Sequence, residues 1–350
     1  MDIAAATQPS KLVVFFMENH TSDNLCSDVA GFDGDTSLAQ APDSLADLPH
    51  DRQTWLHRAD RAARQRYTRA QLPLLYGLMD EYCVCDRYYA DVGANSFPNH
   101  AFAIGADAGG STTNPRRGTA PFLTKPGVMV SLDRAGRTWA NYGDGFAFQY
   151  YTDPAMHANV RGREQLATDA AGGALPDVSY VFGPAGQDFH PGRGTSMAAS
   201  EQWLHGQVLA VANGRTKDGG PLWNDVMMLI TFDDWGGWAD HVDPPVLESD
   251  ADGPYRFGSR VPMIVVGPYA KPRTVSHAQA SHTSIVAYQE RLYGLPPTNP
   301  RTQAPAETAL ADTYDLTQAP LTPPASGATV TGRAHRSPVA PHRPSPRRHG

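Results

Sequence analysis

One stretch constrains this chain more than any other. Val226-Met227-Met228-Leu229-Ile230-Thr231-Phe232 is apolar, of strand length, and ends in Asp233-Asp234 with Gly236 and Gly237 just beyond. An aliphatic run without alternation fits a central strand covered on both faces. Carboxylates placed where such a strand ends sit at the carboxyl edge of a sheet, where open α/β folds bind ligands. The pattern recurs near the N-terminus, where residues 12–17 run into Glu18-Asn19. If the two strands are neighbours, oxygen ligands from Glu18, Asn19, Asp233 and Asp234 converge on one point and form a hard-cation site. Adjacent carboxylates repel, and a cation relieves the repulsion. The alternatives are a solvated strand end for the Asp pair and a polar turn for Glu18-Asn19.

A third segment bears on the same point. Ser96-Phe97-Pro98-Asn99-His100 leads into an apolar run, and Pro98 suits a first helical residue, which places Ser96 just before the helix. Free N–H groups and the dipole at a helix N-terminus attract phosphate. A hydroxyl held there can attack phosphorus, although for an isolated Ser-x-Pro a simple helix cap is the better reading.

Composition narrows the class. With 350 residues the chain can bury a large core. No apolar stretch approaches the roughly 20 residues of a membrane span. Residues 1–10 lack a leader pattern, so a cytoplasmic location is the default expectation, with a secreted mature form as the alternative. The net charge of −7 argues against a nucleic-acid partner. Cys26, Cys83 and Cys85 cannot make a disulfide framework, and Cys83 and Cys85, in an apolar segment, read as buried thiols.

The remaining elements follow in order. Residues 27–52 form a long polar excursion ending near His50; 54–66 and 67–79 read as helices, and 82–89 as a strand. A short helix and a strand fit 128–142, and 143–176 reads as irregular. A buried strand at 176–182 precedes a loop carrying Asp188 and His190, and 197–213 has helical periodicity. Asp240-His241 close behind the first Asp pair suggests groups that orient or neutralise the site. A strand at 261–266 and a helix from Ser281 to Tyr293 complete one domain, 1–315. A tail at 316–350, rich in Pro and Arg, reads as disordered. His20, His57, His100, His157 and His205 read as surface or packing residues, and His282 as a helix cap. Trp235 and Trp238 suit either the core or a pocket mouth.

Taken together, residues 13–23, 67–86, 96–99, 188–191, 231–245, 260–270 and 282–284 resemble, in order, the phosphoesterase family of bacterial and plant phospholipases C and related acid phosphatases. The resemblance implies an alkaline phosphatase-like α/β fold, a three-layer sandwich with a mainly parallel central sheet. It implies that Glu18, Asn19, Asp233 and Asp234 bind a divalent metal, and that Ser96 is the nucleophile and a further metal ligand. His50, His190 and His241 would contact the phosphoryl group or the leaving oxygen. Departures are Asp234-Trp235 where members often carry Glu-His, Ser22 for the usual Phe, and His20 for Arg.

The expected activity is metal-dependent hydrolysis of phosphate esters through a phosphoserine, on either phospholipase C-type diesters or monoesters. The alternatives are an acid phosphatase on small monoesters and a catalytically silent phosphate- or lipid-binding protein. An all-oxygen cage suits Mg²⁺, Ca²⁺ or Mn²⁺, and carboxylate sites also take Zn²⁺.

Overall fold

The computed structural model describes residues 8–250, 253–303 and 310–325. Eight strands form the central sheet: β1 (Lys11–Met17), β2 (Cys83–Cys85), β3 (Trp139–Tyr142), β4 (Val160–Arg161), β5 (Val178–Val181), β6 (Val226–Phe232), β7 (Met263–Val266) and β8 (Thr274–Ser276). Their order across the sheet is β8-β2-β7-β6-β1-β5-β3-β4. All neighbours run parallel except at β7, which is antiparallel to both β2 and β6. Every residue of β6 and all of β1 beyond Lys11 are buried, as a strand covered on both faces requires.

The covering comes from helices α1 (Pro73–Glu81), α2 (Ser96–Gly105), α3 (Val128–Arg134), α4 (Gln165–Ala171), α5 (Met197–Ala212) and α6 (Thr283–Tyr293). They pack in two groups, α2 with α3 and α6, and α5 with α1 and α4. With the sheet between them this gives an α/β sandwich with a mainly parallel sheet.

Several boundaries differ from the sequence reading. Residues 54–66 hold two short helices, Arg52–Leu56 and Arg58–Arg61, and then the strand Gln65–Arg66. In 67–79 the helix starts only at Pro73, whose ring opens the first turn. The backbone N–H groups of Leu74 and Leu75 both donate to the Glu201 carboxylate on α5, at 2.9 and 3.0 Å, a cap visible only in the fold. The segment 143–176 is more ordered than expected and contains β4 and α4.

The three cysteines are free and buried, as the apolar segment around Cys83 and Cys85 suggested for those two. Trp223 and Tyr82 donate to the carbonyls of Leu321 and Thr322, so the chain still packs on the main body past residue 315. The first seven residues and the arginines from Arg333 to Arg348 lie outside the described residues.

Candidate active site

Register sets the geometry. Met17 pairs with Phe232 across β1 and β6, so Glu18 and Asp233 leave the sheet at the same level. Asp233 N donates to the Met17 carbonyl at 2.9 Å, and Asn19 N returns a hydrogen bond to Asp233 Oδ1 at 2.9 Å. The Asp233 Oδ1 atom also accepts from Asp234 N at 2.7 Å. Asn19 Nδ2 lies 3.1 Å from Asp234 Oδ1. The two acidic strand ends therefore meet, as the sequence suggested. Gly236 makes this possible: it has φ of 57°, and a Cβ there would lie 2.0 Å from the Asn19 carbonyl oxygen.

Across from the carboxylates stands α2. Ser96 opens this helix and Asn95 is its cap, so the helix begins two residues earlier than Pro98 suggested. Helices need no intrahelical acceptor for their first N–H groups, and proline is tolerated in that turn. Ser96 Oγ lies 3.3 Å from Asp234 Oδ2 and 3.4 Å from Glu18 Oε2. Asn99 fixes the approach to the helix, its side chain pairing with the Val92 backbone at 3.0 and 3.1 Å.

His100, one helical turn after Ser96, is the residue that sequence reasoning missed. Its ring is buried, with Nε2 3.5 Å from Glu18 Oε1 and 3.4 Å from Asp233 Oδ2. The available signal was its spacing of four from Ser96, which puts both on one helix face. Because α2 is buried all round, a histidine there reads as packing.

Two loops complete a cavity of about 380 Å³ whose lining includes Glu18, Ser96, His100, Asp188, His50 and His190. His50 Nδ1 lies 2.6 Å from the Leu48 carbonyl and so donates to it, which leaves Nε2 to accept from Asn19 Nδ2 at 3.1 Å. His190 Nδ1 likewise donates to the Pro191 carbonyl at 2.6 Å, which leaves Nε2 as its other polar atom.

His241 lies elsewhere. Its ring sits on Asp23 at 2.8 Å and Asp33 at 3.1 Å, away from the cavity lining, so it does not reach the place expected of a residue touching the phosphoryl group. The physical reason is Arg260, a fully buried guanidinium that joins Asp240 and Asp23 at 2.8 and 3.1 Å and ties this turn to the loop behind β1. Trp235 and Trp238 are core residues; the cavity's aromatic walls are Phe16, Phe146 and Phe182. His282 opens α6 without a side-chain cap and donates Nε2–H to the Asp233 carbonyl at 2.8 Å.

Charge is concentrated here. Burial works against a charged Asp233, yet the His100 ring beside it holds its carboxyl at about 2. Asp234, buried and next to that charge, is pushed well above the usual carboxylate range. Burial also opposes charge on His100, but Asp233 and Glu18 outweigh it and raise the imidazole to about 10. Asp188 is raised to about 6 by burial and by the Glu18 charge. Asn19 Oδ1, Asp233 Oδ2 and both His100 ring nitrogens are buried without a hydrogen-bond partner. Unsatisfied buried acceptors beside clustered carboxylates fit a cation. Among the described residues two other acid–histidine groups have metal-like spacing, Asp47-His50-His190 and Asp23-Asp240-His241. The second already holds Arg260 as its cation.

These features define an α/β protein with a buried cluster of carboxylates at the carboxyl edge of its sheet, facing a helix-borne hydroxyl. Residues 49–296 match the Phosphoesterase family model, and the chain belongs to that family. It is 28% identical to non-specific phospholipase C5 of Arabidopsis thaliana over 261 residues, 64% of this chain and 47% of that protein. It is 24% identical to the non-hemolytic phospholipase C of Pseudomonas aeruginosa over 327 residues, 75% of this chain and 46% of that one. The chain thus spans about half the length of the curated relatives it matches. Among solved structures it is similar to a protein in the alkaline phosphatase superfamily from Vibrio parahaemolyticus, at 15% identity and a TM-score of 0.44, over 89% of this chain and 71% of that one.

Proposed function

We propose that this protein hydrolyses phosphate esters with the help of a divalent metal, as a phospholipase C-type enzyme built on an alkaline phosphatase-like scaffold. The observation that carries the reading is Ser96 Oγ at 3.3 and 3.4 Å from two carboxylates of a buried, under-satisfied acidic site. Glu18, Asn19, Asp233, Asp234 and Ser96 are the residues that would hold the cation. When bound, it would draw charge from the phosphoryl oxygens and lower the pKa of the Ser96 hydroxyl.

The chain's own groups supply the rest. Ser96 passes its proton to the Asp234 carboxylate it faces, Oγ bonds to phosphorus, and the ester oxygen departs with the proton carried on His190 Nε2, to be replaced by one from the water of the next step while Asp234 returns its own to Ser96. Water then cleaves the Oγ–P bond, which restores Ser96 and releases the phosphoryl product. His50 holds the Asn19 amide in place through Nε2. His241 acts at one remove, by bracing the turn through Asp23. One domain running at least through residue 315 carries all of these groups.

The test is turnover of p-nitrophenyl phosphate and p-nitrophenyl phosphorylcholine with and without a chelator. The wild type is expected to favour the choline diester, to lose activity on chelation and to regain it with added metal. Ser96→Ala is expected to keep its circular dichroism spectrum and lose turnover of both. Activity in Ser96→Ala near the wild-type level would remove the serine mechanism. Preference for the monoester would move the assignment to a phosphatase.

A further inference from the structure

The acidic strand ends, read alone, describe an all-oxygen site. The position of His100 changes that. Its ring is 2% exposed and neither nitrogen has a hydrogen-bond partner, yet Nε2 stands at 3.5 Å from Glu18 Oε1 and 3.4 Å from Asp233 Oδ2. An imidazolium hydrogen-bonded to a carboxylate would sit at about 2.7–2.9 Å, so these contacts are too long for that role. The Glu18, His100 and Asp233 donor atoms all lie within 4.8 Å of one another, close enough to share one ion. Aromatic contacts, and no hydrogen bond, fix the ring: Phe182 stacks on it at 5.3 Å and Phe16 meets its edge at 4.7 Å.

We propose that His100 Nε2 is a direct ligand of the cation, which makes the site a mixed nitrogen–oxygen one that selects a transition ion such as Zn²⁺ over Mg²⁺ or Ca²⁺. The inference rests on the metal reading above and adds a ligand and an ion class to it. Imidazole suits zinc and its first-row neighbours, whereas Mg²⁺ and Ca²⁺ take oxygen. The placement on α2 also has a mechanical consequence. Ser96 and His100 stand on one face of one rigid helix, so a ligand bond to His100 fixes the depth at which the serine meets the phosphoryl group.

The experiment loads metal-free wild type, His100→Gln and His50→Gln with Mn²⁺ and reads ¹⁴N coupling by pulsed EPR. Zn²⁺ and Mg²⁺ affinities are measured on the same samples by chelator competition. Wild type and His50→Gln are expected to show coupling to a bound imidazole, and His100→Gln to lose it. Zn²⁺ affinity is expected to fall by about tenfold or more in His100→Gln, while Mg²⁺ affinity stays within about threefold. Coupling that survives in His100→Gln, or vanishes in His50→Gln, overturns the proposal, as does an equal loss for both ions. Should His100→Gln fail to fold, wild type and His50→Gln decide the matter: absence of ¹⁴N coupling in either refutes the ligand role. Failure of the hydrolase reading shows up separately, as turnover persisting in Ser96→Ala, which leaves the spectrum of His100 free to stand or fall by itself.

Discussion

Gly236→Ala probes the joint between the two acidic strand ends. Glycine occupies φ of 57° here, and an added Cβ would meet Asn19 O at 2.0 Å and Asn19 C at 2.7 Å. An L-residue in the left-handed region costs about 1 kcal/mol. The clash adds more, because the obstacle is backbone: the two chains must part by about 1 Å, a displacement of the kind that costs about 1–3 kcal/mol in packed interiors. The sum is about 2–4 kcal/mol. With about 2.1 cal/mol/K per residue, a chain of this length loses roughly 4 °C of Tm for 3 kcal/mol. The displacement also strains the 2.9 Å bond from Asn19 N to Asp233 Oδ1, so Mn²⁺ affinity falls with stability. Gly110→Ala is the control, since φ there is 76° and nothing lies within 4 Å of the added Cβ. Urea unfolding and Mn²⁺ calorimetry on both variants check the argument. Equal stability losses in the two, with unchanged Mn²⁺ binding by Gly236→Ala, would refute the close-approach reasoning.

Further predictions concern groups around the site. Arg260→Met leaves Asp23 and Asp240 buried without their guanidinium and is expected to cost about 3–5 kcal/mol. Adding Asp240→Asn should recover part of that loss in a double-mutant cycle, and strict additivity would show that the pair is uncoupled. Glu201 is pushed up to about 7 by burial. The folded protein therefore keeps this proton through a window in which the unfolded chain, titrating near 4.5, has released it. Its contribution is full below the unfolded pKa and is lost as pH rises from about 4.5 to 7, by up to about 3 kcal/mol. Glu201→Gln should flatten that part of a urea stability–pH profile, and an unchanged slope would contradict the assignment. His282→Gln weakens the 2.8 Å bond to the Asp233 carbonyl. It is expected to lower metal affinity about 10–100-fold with little change in Tm, and calorimetry with unaltered affinity would dismiss the role.

Some of this architecture is legible in the residues alone. Continuous apolar runs can be satisfied only between two covering layers, so β1, β5 and β6 and the α/β class follow from local chemistry. Their acidic ends have to lie at a sheet edge, where water or a ligand can reach them. Helix α6 announces itself by its apolar spacing and by Gly294, which closes it at φ of 63°. Local patterning failed where a tertiary partner replaced a local signal. Glu201 caps α1 from another helix, and the cation for Asp23 and Asp240 comes from Arg260, twenty or more residues away along the chain.

The residues by themselves determined that two strand ends would carry acidic and amide side chains, because strand length, apolarity and the abrupt onset of charge are properties of a contiguous segment. They could not determine that β1 and β6 are neighbours in a register that aligns Met17 with Phe232, since pairing is a choice among all strands. Nor could they tell which histidines turn toward the centre. His50 arrives at Asn19 on a long loop, His241 is drawn off to Asp23, and His100 turns inward on a helix buried on every side. Side-chain direction on a fully buried element depends on what packs around it, and only the assembled fold supplies that.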